Sequence, residues 1–360
     1  MLMERGRTRG VKRSVSILNG RVAEAGDPAT YLVGQPRLNR IARTARCFLA
    51  LGLLPLFALG CGAKSPGPSA SPAVVQSDAL PAQSTGGFDG QRAYAHVARL
   101  AEIGPHPPAS DGIHRAQQYI RTTLEGYGCP VEDEDFGANT PIGRMAMKNL
   151  LVKIPGASQN IILLATHYDT VRMEGFVGAD DSGSSTGVML ELARLLCQRK
   201  NAVSIWIAFF DGEEAQVVQG GVAQWSETDS RYGSRELAAH MAATGELGRL
   251  KAMLLADLVG SRNLRVKRES SSTRWLRDLV WSVAQRLGYA DTFVSEEKEA
   301  IEDDHDSFLK RGVAAADVID LEVPYWHTTA DTLDKVSARS LGIVGHVFLE
   351  SILELEKKYR

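Results

Sequence analysis

Short apolar runs of strand length recur along this chain, and most of them break into clusters of acidic residues and histidine. The runs cover residues 149–154, 161–165, 203–210, 253–256 and 314–319, each bounded by turn residues and each about as long as a buried strand. Segments with helical period lie between several of them. Val188, Leu192, Leu195 and Leu196 form one apolar stripe, and Leu341, Val344, Phe348, Ile352 and Leu355 form another near the C-terminus. Two further helical patterns, over about 90–103 and 112–127, are divided by Gly104-Pro105-His106-Pro107-Pro108. Alternation of this kind predicts an α/β fold. The expected form is a single domain with a mixed, largely parallel central β-sheet flanked by helices on both faces.

In such sheets ligands bind beyond the carboxyl ends of the strands, so the residues just after each run carry the functional information. After 161–165 comes Thr166-His167-Tyr168-Asp169, and then a loop with Gly178-Ala179-Asp180-Asp181-Ser182-Gly183. After 203–210 comes Asp211-Gly212-Glu213-Glu214; after 253–256, Asp257; after 314–319, Tyr325-Trp326-His327-Thr328. Each cluster alone has a bland reading as a solvated loop, a turn or a helix cap. Together they bring histidine and carboxylates to one sheet edge, the donor set of a catalytic zinc that keeps a position open for water or substrate.

The cysteines agree with that donor set. Cys47, Cys61, Cys129 and Cys197 have no CxxC spacing, so they form neither a thiolate zinc site nor a dense disulfide framework. Cys129 and Cys197 read as buried thiols. A net charge of −2 gives no electrostatic reason to expect nucleic acid as a partner.

The N-terminus reads as a targeting segment. Arg37, Arg40, Arg43 and Arg46 precede the uncharged residues 47–60, too short to span a bilayer comfortably but matching a signal-peptide core. The ending Phe57-Ala58-Leu59-Gly60-Cys61 resembles a bacterial lipobox, with Ala58 in place of the usual leucine. The expected organisation is therefore an N-terminal extension and signal over 1–61, a flexible Ser/Pro/Ala linker over 62–87, and a catalytic domain over 88–360. The expected location is outside the cytoplasm, as a secreted protein or a periplasmic or outer-membrane lipoprotein, with membrane contact only through a lipid anchor at Cys61.

The ordered set His167-Tyr168-Asp169, Gly178 to Gly183, Asp211-Gly-Glu213-Glu214, Asp257 and Trp326-His327-Thr328 resembles the M28 zinc-peptidase family across about 88–360. That resemblance implies zinc held by Asp181, Glu214 and His327, with Glu213 as general base. His167 and Asp257 would hold a second metal in a two-zinc aminopeptidase. Phe209 to Ala215, Trp225-Ser226, Asp229-Ser230, Tyr232 to Arg235, Asp303-Asp304-His305 and Trp326-His327-Thr328 are more similar to the animal-type glutaminyl-peptide cyclotransferases. Those enzymes turn an N-terminal glutamine into pyroglutamate with one zinc. The likeness implies peptides or proteins beginning with Gln as substrates, an acidic cluster of Glu213, Asp257 and Asp303, and pocket walls from Trp225 and Trp326. The residues 296–302 read as a solvated acidic loop that could attract a substrate ammonium.

The chain departs from the animal enzymes in three places. The segment between Glu214 and Trp225 is longer, Asp317 stands where a histidine is expected, and Thr166 and Ser185 occupy the region of a missing cysteine pair. Three readings follow: glutaminyl cyclisation, hydrolysis by a one- or two-zinc aminopeptidase, and a non-catalytic binding domain on the same scaffold. The third is disfavoured because every expected ligand and the base are present.

Overall fold

The computed structural model describes residues 77–360, so the signal and lipobox reading at 37–61 lies outside the described residues. The helices are α1 (Gly90–Ile103), α2 (Asp111–Gly126), α3 (Gly183–Leu196), α4 (Tyr232–Thr244), α5 (Arg274–Arg286), α6 (Asp306–Leu309) and α7 (Ala338–Tyr359). The central sheet uses β1 (Val131–Thr140), β2 (Gly143–Ile154), β3 (Gly156–His167), β4 (Asn201–Phe210), β7 (Leu250–Asp257) and β10 (Ala315–Ile319). Two separate two-stranded ribbons lie outside it, β5 (Val218–Gln219) with β6 (Val222–Ala223), and β8 (Val266–Glu269) with β9 (Phe293–Lys298).

The sheet order is β1-β2-β4-β3-β7-β10. The pairs β1/β2 and β2/β4 are antiparallel, whereas β4/β3, β3/β7 and β7/β10 are parallel. Along β3 successive residues serve opposite cores. Ile162 and Leu164 pack with Val188, Leu192, Val344 and Phe348 of α3 and α7. Ile161, Leu163 and Ala165 pack with Leu237, Met241 and Phe308 of α4 and α6. A two-residue period with both faces covered makes these strands continuous apolar runs. The structure thus has the mixed, mostly parallel sheet with helices on both faces that the sequence implies.

Register then fixes the functional edge. His167 at the end of β3 lies opposite Phe210 at the end of β4, and Ile319 at the end of β10 lies opposite Asp257 at the end of β7. Four parallel strands therefore finish level with one another, and their following loops share one rim.

Three expectations need correction. Cys129 and Cys197 are not free thiols: they form a disulfide, with Cα atoms 5.4 Å apart and a sequence separation of 68. Cys129 precedes β1 and Cys197 caps α3, a meeting that only the tertiary packing of α3 against the sheet creates. The linker does not extend to residue 87 either. Leu80 packs on the main core, Thr85 is buried, and Asp78 accepts a hydrogen bond from Ser337 Oγ at 2.7 Å, so the domain begins before Phe88. Nor is 296–302 only a solvated loop. It includes the end of β9, and Glu299 and Glu302 reach the mouth of the cleft described below.

Candidate metal centre and active site

Asp181 stands at the centre of two donor groups. On one side are Asp181, Glu214 and His327; on the other are Asp181, His167 and Asp257, and in each group one donor atom per residue lies within 4.8 Å of the others. His327 Nε2 is 3.1 Å from Glu214 Oε1 and 3.4 Å from Asp181 Oδ2. His167 Nε2 is 3.3 Å from Asp181 Oδ1 and 3.2 Å from Asp257 Oδ1.

The backbone needed to hold these groups is unusual in several places. Gly178 has φ +57°, and a Cβ there would stand 2.2 Å from the Asp181 carbonyl oxygen, so only glycine lets the loop fold tightly enough to present Asp181. Leu258, next to Asp257, and His327 itself have left-handed φ values of 47° and 50°. Such conformations are costly for side-chain-bearing residues and concentrate where a site over-determines the backbone.

Buried hydrogen bonds fix the loops. Asp169 accepts the N–H groups of Glu213 and Glu214 at 3.1 and 3.3 Å. Asp331 accepts those of Asp180 and Asp181 at 2.8 and 3.0 Å. Asp180 does not face the donor groups: its carboxylate receives Tyr325 Oη at 2.7 Å and the Gly260 N–H at 2.7 Å. Of the Asp180-Asp181 pair, Asp181 is thus the residue turned to the donor set.

The electrostatics suit a cation. Burial opposes charging His327, but Glu214 and Asp181 outweigh it and push the imidazole up to about 11. Burial also works against charge on His167, yet Asp257, Asp169 and Asp181 raise its pKa well above the ordinary value. Burial would raise Asp181, but the two histidines hold its carboxyl well below the usual range. Protonated imidazoles thus offset a surplus of buried carboxylate that a divalent ion would also neutralise. Glu214 Oε2 is buried without a hydrogen-bond partner, an acceptor free for a metal. The residues present therefore fit a zinc ion.

A cleft of about 460 Å³ opens on this centre and is lined by Asp181, Glu213, Glu214, Asp257, Asp303 and His327. Trp225 and Trp326 stand along it, and Ile301, Ile319 and Leu321 supply apolar wall. Trp326 is 42% exposed and stacks on His327, ring centroids 4.3 Å apart, so it is a cleft wall and not a core residue. Behind the cleft are Asp304 and Asp317, both fully buried. Burial and then Asp257 push Asp303 up to about 6. Burial raises Glu213 well above the usual range, with Asp303, Glu214 and Asp304 adding to the shift and His167 opposing it.

All eight residues singled out from the sequence for catalysis, substrate walls or the first metal line this cleft, while His167 lies buried behind Asp181 and Asp257. The sequence reading missed Asp331 and the backbone role of Asp169. Asp331 follows His327 closely but carries no local signal, because its partners lie 150 residues away.

A mixed, mostly parallel sheet whose strand ends carry two overlapping carboxylate–imidazole groups defines a metal-dependent α/β enzyme of the exopeptidase type. Residues 149–352 match peptidase family M28, and this chain belongs to that family. It is 32% identical over 310 residues to a glutaminyl-peptide cyclotransferase of Gloydius blomhoffii, covering 72% of this chain and 82% of the relative. Among solved structures it is similar to an Acidobacteriales bacterium glutaminyl cyclase, with a TM-score of 0.71, 36% identity, and coverage of 81% of this chain and 99% of the other. It is also similar to a leucine aminopeptidase precursor from Bacteroides thetaiotaomicron, with a TM-score of 0.68, 27% identity, and coverage of 74% and 97%.

Proposed function

We propose that this protein is a glutaminyl-peptide cyclotransferase, converting the N-terminal glutamine of peptides and proteins to pyroglutamate with release of ammonia. The observation that carries the reading is that Asp303 lines the same cleft as Glu213, both buried and both with a raised proton affinity. Cyclisation needs a group that takes a proton from one nitrogen and delivers it to another, and a buried acid pair of raised proton affinity is suited to that exchange.

Asp181, Glu214 and His327 would hold one zinc ion, which would supply Lewis-acid polarisation of the substrate's γ-carbonyl. Glu213 takes a proton from the substrate's α-amine as that nitrogen bonds to the side-chain carbonyl carbon. It then returns the proton to the amide nitrogen, which leaves as ammonia when its bond to that carbon breaks. Asp257 and Asp303 hold the proton on the Glu213 side during the exchange. Trp225 and Trp326 enclose the small planar side chain and keep water away from it. No water is consumed, because nucleophile and electrophile belong to one residue.

The His167–Asp181–Asp257 group favours a second reading, a two-zinc aminopeptidase. One assay separates the two. The domain is incubated with a peptide beginning in Gln and another beginning in Leu. Cyclisation gives ammonia and a mass loss of about 17 Da from the Gln peptide alone, and Glu213→Gln retains zinc while losing roughly two orders of magnitude in rate. Asp303→Ala also slows cyclisation. Free leucine, with the Gln peptide left uncyclised, overturns the assignment.

We also propose export. The basic and apolar residues before Cys61 support it, and so does the Cys129–Cys197 disulfide, since such bonds persist in oxidising compartments. Cys61→Ser releases the protein from membranes if Cys61 is acylated. An unmodified Cys61 in the mature protein refutes the lipid anchor and leaves export standing.

A further inference from the structure

Arg231 is a buried cation that the reaction described above does not use. It is 2% exposed, caps α4 from a left-handed conformation with φ 53°, and donates its backbone N–H to the carbonyl of Glu213 at 2.8 Å. Its guanidinium carbon lies 4.6 Å from the centre of the Trp225 ring. One terminal nitrogen donates to Asp306 at 2.7 Å, and the other reaches Glu302 at 3.5 Å.

These contacts join two separate stretches of the cleft. Trp225 follows the β5–β6 ribbon, whose Val222 is 62% exposed. Asp229 closes the base of that excursion, accepting the N–H groups of Gln216 and Val217 at 3.1 and 3.0 Å. The only cation stacked on Trp225 among the described residues is Arg231. Glu302 and Asp306 flank Asp303 in sequence, and the Asp306 N–H donates to the Asp303 carbonyl at 2.9 Å. A planar guanidinium suits both tasks, because it can stack on an aromatic face while its edge donates to carboxylates.

We infer that Arg231 is a positioning residue for the substrate pocket: it holds Trp225 upright as the pocket wall and ties that wall to the segment carrying Asp303. The inference rests on the cyclisation reading for its kinetic consequence, but its structural content is independent of it. Since Arg231 acts through a wall and not through the proton carrier, its loss weakens capture of the glutamine side chain more than turnover.

The test is a double-mutant comparison of Arg231→Leu, Arg231→Lys, Trp225→Ala and Arg231→Leu/Trp225→Ala on a Gln peptide. Arg231→Leu is expected to raise KM roughly tenfold with kcat changed far less, and Arg231→Lys, which keeps charge but loses the planar stack, to recover part of it. In the Trp225→Ala background, Arg231→Leu should add little to KM, because the wall it supports is gone. Additive effects, or a Tm loss with KM unchanged in Arg231→Lys, assign Arg231 to general stability and overturn the inference. A wild-type protein that does not cyclise the peptide defeats the functional reading instead. Arg231 is then judged by acrylamide quenching of the Trp225 emission, obtained by difference against Trp225→Phe. Greater quenching in Arg231→Lys supports the positioning role, and unchanged quenching sinks it.

Discussion

The carboxylate of Asp169 holds the backbone of Glu213, accepting its N–H at 3.1 Å, while the other oxygen of the same carboxylate accepts the N–H of Glu214 at 3.3 Å. One buried side chain therefore orients both the proposed proton carrier and a proposed metal ligand. Asp169→Ala leaves two buried N–H groups unpartnered, at a cost of about 1–3 kcal/mol each. The expected outcome is a joint loss of about tenfold or more in both rate and zinc affinity, since supporting groups of this kind affect both. Steady-state kinetics alongside a zinc-chelator competition checks it. A variant that loses activity but binds zinc as tightly as wild type shows that Glu214 does not depend on Asp169.

Metal binding should be coupled to proton release. In the metal-free protein His327 is pushed up to about 11 by Glu214 and Asp181, against the opposing effect of burial, so it is protonated near neutrality. A zinc ligand must be the neutral imidazole, and zinc uptake therefore expels that proton. Calorimetric titration in buffers of different ionisation enthalpy should show about one or two protons released per zinc. His327→Ala should abolish tight binding. Zinc uptake with no proton release means that His327 is neutral before the metal arrives.

The strand ends were readable because a buried parallel strand must be apolar throughout, which makes an abrupt change to His167, Asp211 or Asp257 conspicuous. The same logic concealed β1. Its Glu132-Asp133-Glu134-Asp135 looks like a solvated loop, yet it is an edge strand whose Asp133 pairs with Lys148 at 2.6 Å and with Arg121. Edge strands tolerate charge that central strands exclude. Asp331, Arg231 and the Cys129–Cys197 pair were illegible for another reason. Their roles depend on contacts between residues 68 to 151 positions apart, or on the direction of one side chain, and neither leaves a local pattern. Residues 77–87 resemble the preceding linker in composition, so nothing in them announces that Leu80 and Thr85 belong to the fold.

The disulfide should matter for stability and not for catalysis. It closes a loop with a sequence separation of 68 and ties the start of β1 to the end of α3, while neither cysteine lines the cleft. Restricting the unfolded chain over a loop of that size contributes about 2–4 kcal/mol. Cys129→Ser with Cys197→Ser should lower the denaturant midpoint accordingly and leave KM for a Gln peptide unchanged. Equal midpoints with and without reductant in the wild-type protein contradict a stabilising role.

Asp317 supplies the clearest pH dependence. It lies within β10, fully buried, and neither carboxylate oxygen has a hydrogen-bond partner, although its N–H donates to Ser272 Oγ at 3.0 Å. Burial first, and then Asp303 and Asp257, push its carboxyl well above the ordinary range, so it keeps its proton in the folded chain at pH values where the unfolded chain has lost it. A pKa raised on folding means that the native state binds more protons than the unfolded state. The associated stability is fully present below the unfolded value of about 4 and is lost progressively as pH rises towards the folded value. Asp317→Asn keeps the shape of the protonated acid and removes this dependence. The variant should already exceed wild type slightly in thermal stability near about pH 5, and the margin should grow towards about pH 8. Thermal unfolding of both proteins across that range, with zinc saturating throughout, measures the margin. A margin that narrows as pH rises means that Asp317 is ionised and paired in the native state, which would reverse the sign of its contribution.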